Sequence, residues 1–201
     1  MPEASSISRR SIRWIQHGMA GLYWRYMGAG IGNPQIPRST GSVLFLCQGN
    51  VCRSPFAERY FRKIAGDRIL RGIRSQSAGL DVRVSVPPPD LAVNVAKTLD
   101  VDLADHRSKP VTADMIEESD MIFVMEHRQA AFLRRTFPGQ DPKIFLLPMF
   151  DTEPLPAWDY ARRFNISDPY GKSAKDFVEC FRKIESSIDG FLSRSDLHPS
   201  P

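Results

Sequence analysis

Residues 43–46 read Val-Leu-Phe-Leu and run directly into Cys-Gln-Gly-Asn-Val-Cys-Arg-Ser at 47–54, with Pro55 next. Four consecutive apolar residues without alternation suit a strand buried on both faces, as in a parallel sheet. Ser54 suits a helix N-cap and Pro55 the first helical position. Strand, tight loop and helix therefore form one unit, and such a unit needs a parallel neighbour reached by crossover. The loop points successive backbone N–H groups, with the positive end of the helix, at one small volume. That cradle suits a tetrahedral dianion, and a thiolate at its base can attack phosphorus.

Each residue type in the loop answers a physical need. Free thiols are mostly protonated at neutral pH, and nearby donors favour the nucleophilic thiolate. For Cys47 the helix N-terminus, Arg53 and the Ser54 hydroxyl can act in this way. Arg53 offers a planar fork of donors that can hold two phosphoryl oxygens. Gly49 lets the backbone approach an anion closely, and Asn50 tolerates a left-handed conformation that turns amides inward. Gln48, Val51 and Cys52 complete the wrap. Cys52 has two readings, a redox partner that condenses with an oxidised Cys47 or a small residue that packs the loop.

Downstream, apolar runs alternate with helical patterns. Residues 121–125 and 144–147 read as buried strands and 72–78 as a weaker one, while 90–98, 112–118 and 128–136 read as helices. The run Val86, Pro87, Pro88, Pro89 is a stiff connector. After Ser173, a capping residue, Phe177, Cys180, Phe181, Ile184, Ile188 and Phe191 recur at helical spacing and put Cys180 in the core. The class is α/β, with four parallel strands, helices on both faces and the phosphate loop after the first strand. Phosphoryl transfer to a thiolate also needs an acid for the departing oxygen. Asp168 stands in Ser-Asp-Pro-Tyr-Gly just before the last helix, where by itself it is an ordinary Asp-Pro turn.

Composition bounds the rest. The chain is 42% apolar and 25% charged, as expected of a soluble globular protein, and holds no apolar run near bilayer length. Three cysteines make no disulfide framework and fit the reducing cytoplasm, and four scattered histidines lack metal-ligand spacing. Of 27 basic and 23 acidic residues, five and one lie in residues 1–41, leaving 22 of each elsewhere. The basicity therefore belongs to the N-terminal extension and gives no reason to expect nucleic-acid binding by the rest. Within residues 6–27, Ile12, Ile15, Met19, Leu22, Tyr23 and Tyr26 fall near one side of a helix, with Trp14, Trp24 and three arginines beside them. Such a segment can lie peripherally in a membrane interface, dock in a partner's groove, act as a transit peptide, or be a mobile tail. The expected division is an extension over 1–41, a domain over 42–195 and a tail over 196–201.

Cys-x-Gly-Asn-x-Cys-Arg-Ser-Pro after an apolar strand, with Asp-Pro-Tyr about 120 residues later, resembles the low-molecular-weight protein tyrosine phosphatase family. The resemblance spans residues 42–195. It implies a flavodoxin-like fold, a cysteinyl-phosphate intermediate, no cofactor, and phosphotyrosine proteins as partners, a tyrosine kinase among them. It makes Cys47 the nucleophile, Arg53 the phosphate clamp, Ser54 the thiolate's hydrogen-bond partner and Asp168 the general acid. Gln48, Gly49, Asn50, Val51, Cys52, Ser54 and Tyr170 would contact substrate, and Ser77 and His106 would hold Asn50. Two departures stand out. Residues 80–84 carry no aromatic for one wall of the aryl slot, and Val51 stands where phosphoarginine phosphatases tend to have Thr, which favours an aryl phosphate. The competing readings are an arsenate reductase, which would need a relay of further thiols, and a silent phosphotyrosine-binding module.

Overall fold

The computed structural model describes residues 32–66, 72–153, 159–195 and 198–199. The amphipathic pattern of residues 6–27 lies outside the described residues. Four strands form one sheet: β1 (Ser42–Cys47), β2 (Arg74–Gly79), β3 (Met121–Val124) and β4 (Ile144–Leu146), in the order β2-β1-β3-β4. Every neighbouring pair is parallel. The helices are α1 (Arg53–Gly66), α2 (Asp90–Lys97), α3 (Ala113–Glu117), α4 (His127–Thr136), α5 (Tyr160–Phe164) and α6 (Ala174–Ser193). This is the expected flavodoxin-like arrangement.

The continuous apolar runs of β1, β3 and β4 are explained by burial on both faces. Val43, Phe45 and Phe123 point into a core shared with α1, α2 and α6, while Leu44, Leu46, Ile122 and Val124 meet α3, α4 and α5. Phe56 of α1 stacks on Phe181 of α6 with ring centroids 4.0 Å apart, which ties the last helix to the one that follows the loop. Aromatic pairs add about 0.5–1.5 kcal/mol beyond their area burial. Gly190 permits the closest approach of α6, because a Cβ there would lie 2.0 Å from the Phe150 carbonyl oxygen.

Three features depart from the sequence reading. Helix α1 starts at Arg53, and the Phe56 N–H donates to Cys52 O at 3.2 Å, so Ser54 lies inside the first turn rather than capping it. Helix α5 was not expected, since five residues are too few to show periodicity. Residues 33–40, grouped with the extension by composition, dock on the domain. Asn33 brackets edge strand β4: its Nδ2 donates to Leu146 O at 3.1 Å, and its Oδ1 accepts from Leu146 N–H at 2.7 Å. Ile36 packs on the core, Thr40 is buried, and Ser39–Thr40 pairs with His198–Pro199. An otherwise open sheet edge is thereby covered.

Candidate active site

Cys47 ends β1 almost fully buried, with Sγ 3.0 Å from Ser54 Oγ and accepting the Asn50 N–H at 3.3 Å. Beyond β2 the chain runs on beside the loop, and the N–H groups of Leu80 and Asp81 donate to Cys47 O and Gln48 O, each at 2.9 Å. These bonds turn the loop's first carbonyls outward. Among the described residues no protein acceptor takes the N–H of Gly49, Val51 or Cys52. Free donors in series before a helix N-terminus make an anion cradle. Asn50 takes φ 52°, the left-handed turn expected of it. The glycine on which the loop rests is Gly79, where a Cβ would lie 2.9 Å from Gln48 O and 3.0 Å from Asn50 N. At Gly49 a Cβ would meet only Val51 Cγ2, at 3.8 Å.

Among the described residues Arg53 is the largest fully buried side chain, at 1% exposure. Its Nη1 donates to Glu126 Oε1 at 2.5 Å and to Ile166 O at 3.0 Å, and its Nη2 to Asp168 Oδ2 at 2.5 Å. Burial works against the guanidinium's charge, yet Cys47, Asp168 and Glu126 outweigh it and hold Arg53 above its ordinary pKa. Nε is buried with no protein partner, a donor left over for an anion in the cradle. Asp168 arrives from the opposite end of the chain. Ile166 N–H bonds Met125 O at 2.8 Å at the tip of β3, and the Tyr170 N–H closes a turn on Asp168 Oδ1 at 3.2 Å. Sequence reasoning missed Glu126. The residues just after a central parallel strand sit at the ligand edge of such a sheet, and Glu126, two beyond β3, carried that signal.

The Asn50 side chain lies behind the loop, fully buried, and not toward the cavity. Its Oδ1 accepts the Lys109 N–H at 3.0 Å, which fixes the amide orientation, and Nδ2 donates to Ser54 Oγ at 2.9 Å and Ser77 Oγ at 3.0 Å. Ser77 passes its own proton to Glu58 Oε2 at 2.6 Å. Glu58 is a second buried residue that no sequence pattern marked, and it also pairs with Arg62. His106 Nε2 lies 2.8 Å from the Asn50 carbonyl oxygen, so Nε2 carries the proton. Burial pushes the His106 pKa below its ordinary value, against the opposing pull of that carbonyl, and keeps the ring neutral. Ser77 Oγ and His106 Nε2 thus both contact Asn50, one at its side chain and one at its carbonyl.

A cavity of about 640 Å³ opens over the loop. Cys47, Gln48, Gly49, Val51, Cys52 and Arg53 line its floor, and Asp168 and Tyr170 one side. Ser54 does not reach it and instead supports Cys47 from behind. Tyr170, 64% exposed, is an aromatic wall, and Val82, Val84, Val86 and the three prolines face the cavity in place of a second one.

The family model for low molecular weight phosphotyrosine protein phosphatase matches residues 42–198. The chain belongs to this family. It is 28% identical over 153 residues to the "Probable low molecular weight protein-tyrosine-phosphatase EpsP" of Ralstonia nicotianae, covering 76% of this chain and 94% of that one. It is 32% identical over 145 residues to the low molecular weight protein-tyrosine-phosphatase Wzb of Salmonella typhi, covering 72% of this chain and 87% of the other. The crystal structure of the Erwinia amylovora tyrosine phosphatase amsI matches with a TM-score of 0.67 at 29% identity, over 80% of this chain and 97% of that one. The chain is therefore a protein-tyrosine phosphatase, acting on protein phosphotyrosine by the family's cysteine mechanism.

An arsenate-reductase relay is not favoured in this phosphatase. Residues 80–92 hold no cysteine, and the two thiols besides Cys47 are buried. Burial, reinforced by Cys47 and Asp168 and opposed by Arg53, pushes the Cys52 pKa up to about 12. Burial likewise raises Cys180 on α6. Cys52 packs in the core with Phe56 and stays a thiol near neutral pH, which weakens it as an attacking nucleophile. No helix among the described residues is long and apolar enough to cross a membrane.

Proposed function

We propose that Cys47 is the nucleophile, Arg53 the phosphoryl clamp and Asp168 the general acid and later base, with an aryl phosphate on a protein as substrate. The observation that carries this is the 2.5 Å contact of Asp168 Oδ2 with Arg53 Nη2 over the Cys47 loop. It joins Asp168, 115 residues away in sequence, to the loop that carries Cys47 and Arg53. The Asp168 oxygen stands in for an equatorial phosphoryl oxygen on the guanidinium. An entering phosphate then competes for Arg53, with Nε as a ready donor, and releases the carboxyl toward the leaving group. Glu126 and the Ile166 carbonyl keep the fork in place during the exchange.

In the first step the Cys47 thiolate attacks phosphorus, the bond from phosphorus to the phenolic oxygen breaks, and Asp168 gives its proton to that oxygen. In the second, Asp168 takes a proton from water as the water attacks phosphorus, and the sulfur leaves as thiolate. Loop N–H groups and Arg53 stabilise the equatorial oxygens throughout. Gln48, Gly49, Val51 and Cys52 contribute the cradle, and Tyr170 stacks on the aryl ring. A tyrosine kinase carrying phosphotyrosine fits as a physiological partner, given the activity of the family. The extension over residues 1–31 serves location rather than chemistry, since no catalytic residue type in it is missing from the site.

The test is turnover of a small aryl phosphate by wild type, Cys47→Ser and Asp168→Asn, with phosphoarginine in parallel. Cys47→Ser should be inactive yet bind phosphate. Asp168→Asn should lose about 10²–10⁴-fold on poor leaving groups, the usual worth of a general acid, and far less on good ones. Equal loss on both classes would reduce Asp168 to a structural role.

A further inference from the structure

We propose that Val84 and Val86 form a docking shelf for an aliphatic side chain that flanks the phosphotyrosine in the protein substrate. The proposal rests on the reading of the cavity as the phosphatase cleft. Val84 and Val86 are 72% and 42% exposed, two of the few large apolar side chains left in water among the described residues. Both line the cavity that holds Cys47 and Asp168, so the shelf continues the catalytic cleft outward.

The shelf is held in place. Val86 N–H donates to Ser108 Oγ at 3.0 Å, the Ser108 N–H returns a bond to Val86 O at 3.0 Å, and Ser85 Oγ donates to Ser108 O at 2.8 Å. Ser108 itself is buried, and three prolines follow at 87–89. Fixing a contact surface beforehand lowers the ordering cost that binding must meet. The inner member of the segment is accounted for differently, since Val82 sits close over Gly79. Val84 and Val86 have no such packing role.

Charge on the rim narrows the partner's chemistry. Arg83 and Asp81 lie 3.7 Å apart and offset each other, and Asp90 adds a negative charge farther along. Acidic flanking residues gain nothing from that balance. A substrate residue crossing this rim meets aliphatic surface, and an aliphatic side chain is what removes that surface from water.

The experiment measures kcat/KM on matched phosphotyrosine peptides that carry Leu, Ser or Asp at each of the three positions on either side. Wild type should prefer Leu over Ser by about tenfold at one flanking position, the discrimination an apolar side-chain contact gives, and Asp should be worst. The Leu-to-Ser ratio should fall close to one in the double variant Val84→Ser with Val86→Ser, and a Val84→Thr, Val86→Thr pair, which keeps the side-chain shape, should fall between. Far-UV circular dichroism and thermal melting of each variant register folding. Ratios within twofold in wild type, or a preference for Asp, overturn the proposal. So does an undiminished Leu preference in both double variants. Failure of wild type to hydrolyse any aryl phosphate would instead remove the phosphatase reading of the cleft.

Discussion

Replacing Asn50 separates two contributions that the structure places in one residue. Its side chain makes three hydrogen bonds, to Ser54, Ser77 and the Lys109 N–H, and its backbone holds φ 52°. At about 1 kcal/mol net each, the three bonds are worth about 3 kcal/mol. A left-handed conformation costs a residue with a Cβ about 1–2 kcal/mol. Asn50→Gly loses the three bonds but escapes that cost, so it should lose about 1–2 kcal/mol of stability while the loop keeps its shape. Asn50→Ala keeps the Cβ and should lose about 3 kcal/mol, and its loop should relax toward negative φ, carrying the residue-50 N–H away from Cys47 Sγ. With an m-value of about 2 kcal/mol/M, the urea midpoints should drop by about 0.5–1 M for glycine and about 1.5 M for alanine. Turnover should follow the backbone, with glycine retaining much of it and alanine losing at least tenfold. Urea melts followed by circular dichroism and steady-state kinetics on an aryl phosphate read both quantities. An alanine variant as active as the glycine variant would refute the backbone argument, and an unshifted glycine midpoint the hydrogen-bond argument.

Gly190→Ala should cost about 3 kcal/mol, the upper range for overpacking, because its Cβ meets a backbone oxygen that cannot rotate away, and calorimetry should show the lowered melting temperature. Stability should hold from neutral pH to about 9.0, the ordinary thiol value, and then decline. The sign follows from the raised pKa of Cys52: the unfolded chain releases its proton above 9.0 and the folded one only near 12, so stabilisation present below 9.0 is lost above it. Cys180 acts in the same sense, and a Cys180→Val variant should show a shallower alkaline decline in denaturant titrations. An Asn33→Ala variant should melt about 5 °C below wild type, since it loses both Asn33 bonds at about 1 kcal/mol each. Equal melting temperatures would put the edge contact of Asn33 at no net value.

The strand, the loop and the last helix were legible because each writes a local pattern. Residues 43–46 are apolar without a break, Cys47 and Arg53 stand at a fixed spacing, and Phe177, Phe181 and Ile184 recur at helical intervals. Glu126 and Glu58 were not legible, because a glutamate reads as surface until its partner is known. The partner of Glu126 is 73 residues away in sequence, and Glu58 acts through Ser77 on the next strand. Ser54 was misjudged for a related reason. A serine before proline signals a cap locally, but here its hydroxyl is drawn to Cys47 and Asn50 by the fold of the loop. Asn33 mimics a strand neighbour with one side chain, and no periodicity can announce that.

The Ser54 hydroxyl behaves as a rotor with two stops. Asn50 Nδ2 can only donate to it, so its single proton must go either to Cys47 Sγ at 3.0 Å or to Ala78 O at 3.3 Å. An anionic sulfur is the stronger acceptor, and a sulfur bonded to phosphorus the weaker. The proton therefore swings to the carbonyl as the cysteinyl phosphate forms and swings back as the sulfur departs. The same hydroxyl therefore stabilises the sulfur as leaving group in the second half-reaction, without any movement of the main chain. Removing it with Ser54→Ala should slow departure of the sulfur more than its attack, so the fraction of enzyme trapped as cysteinyl phosphate should rise while the overall rate falls.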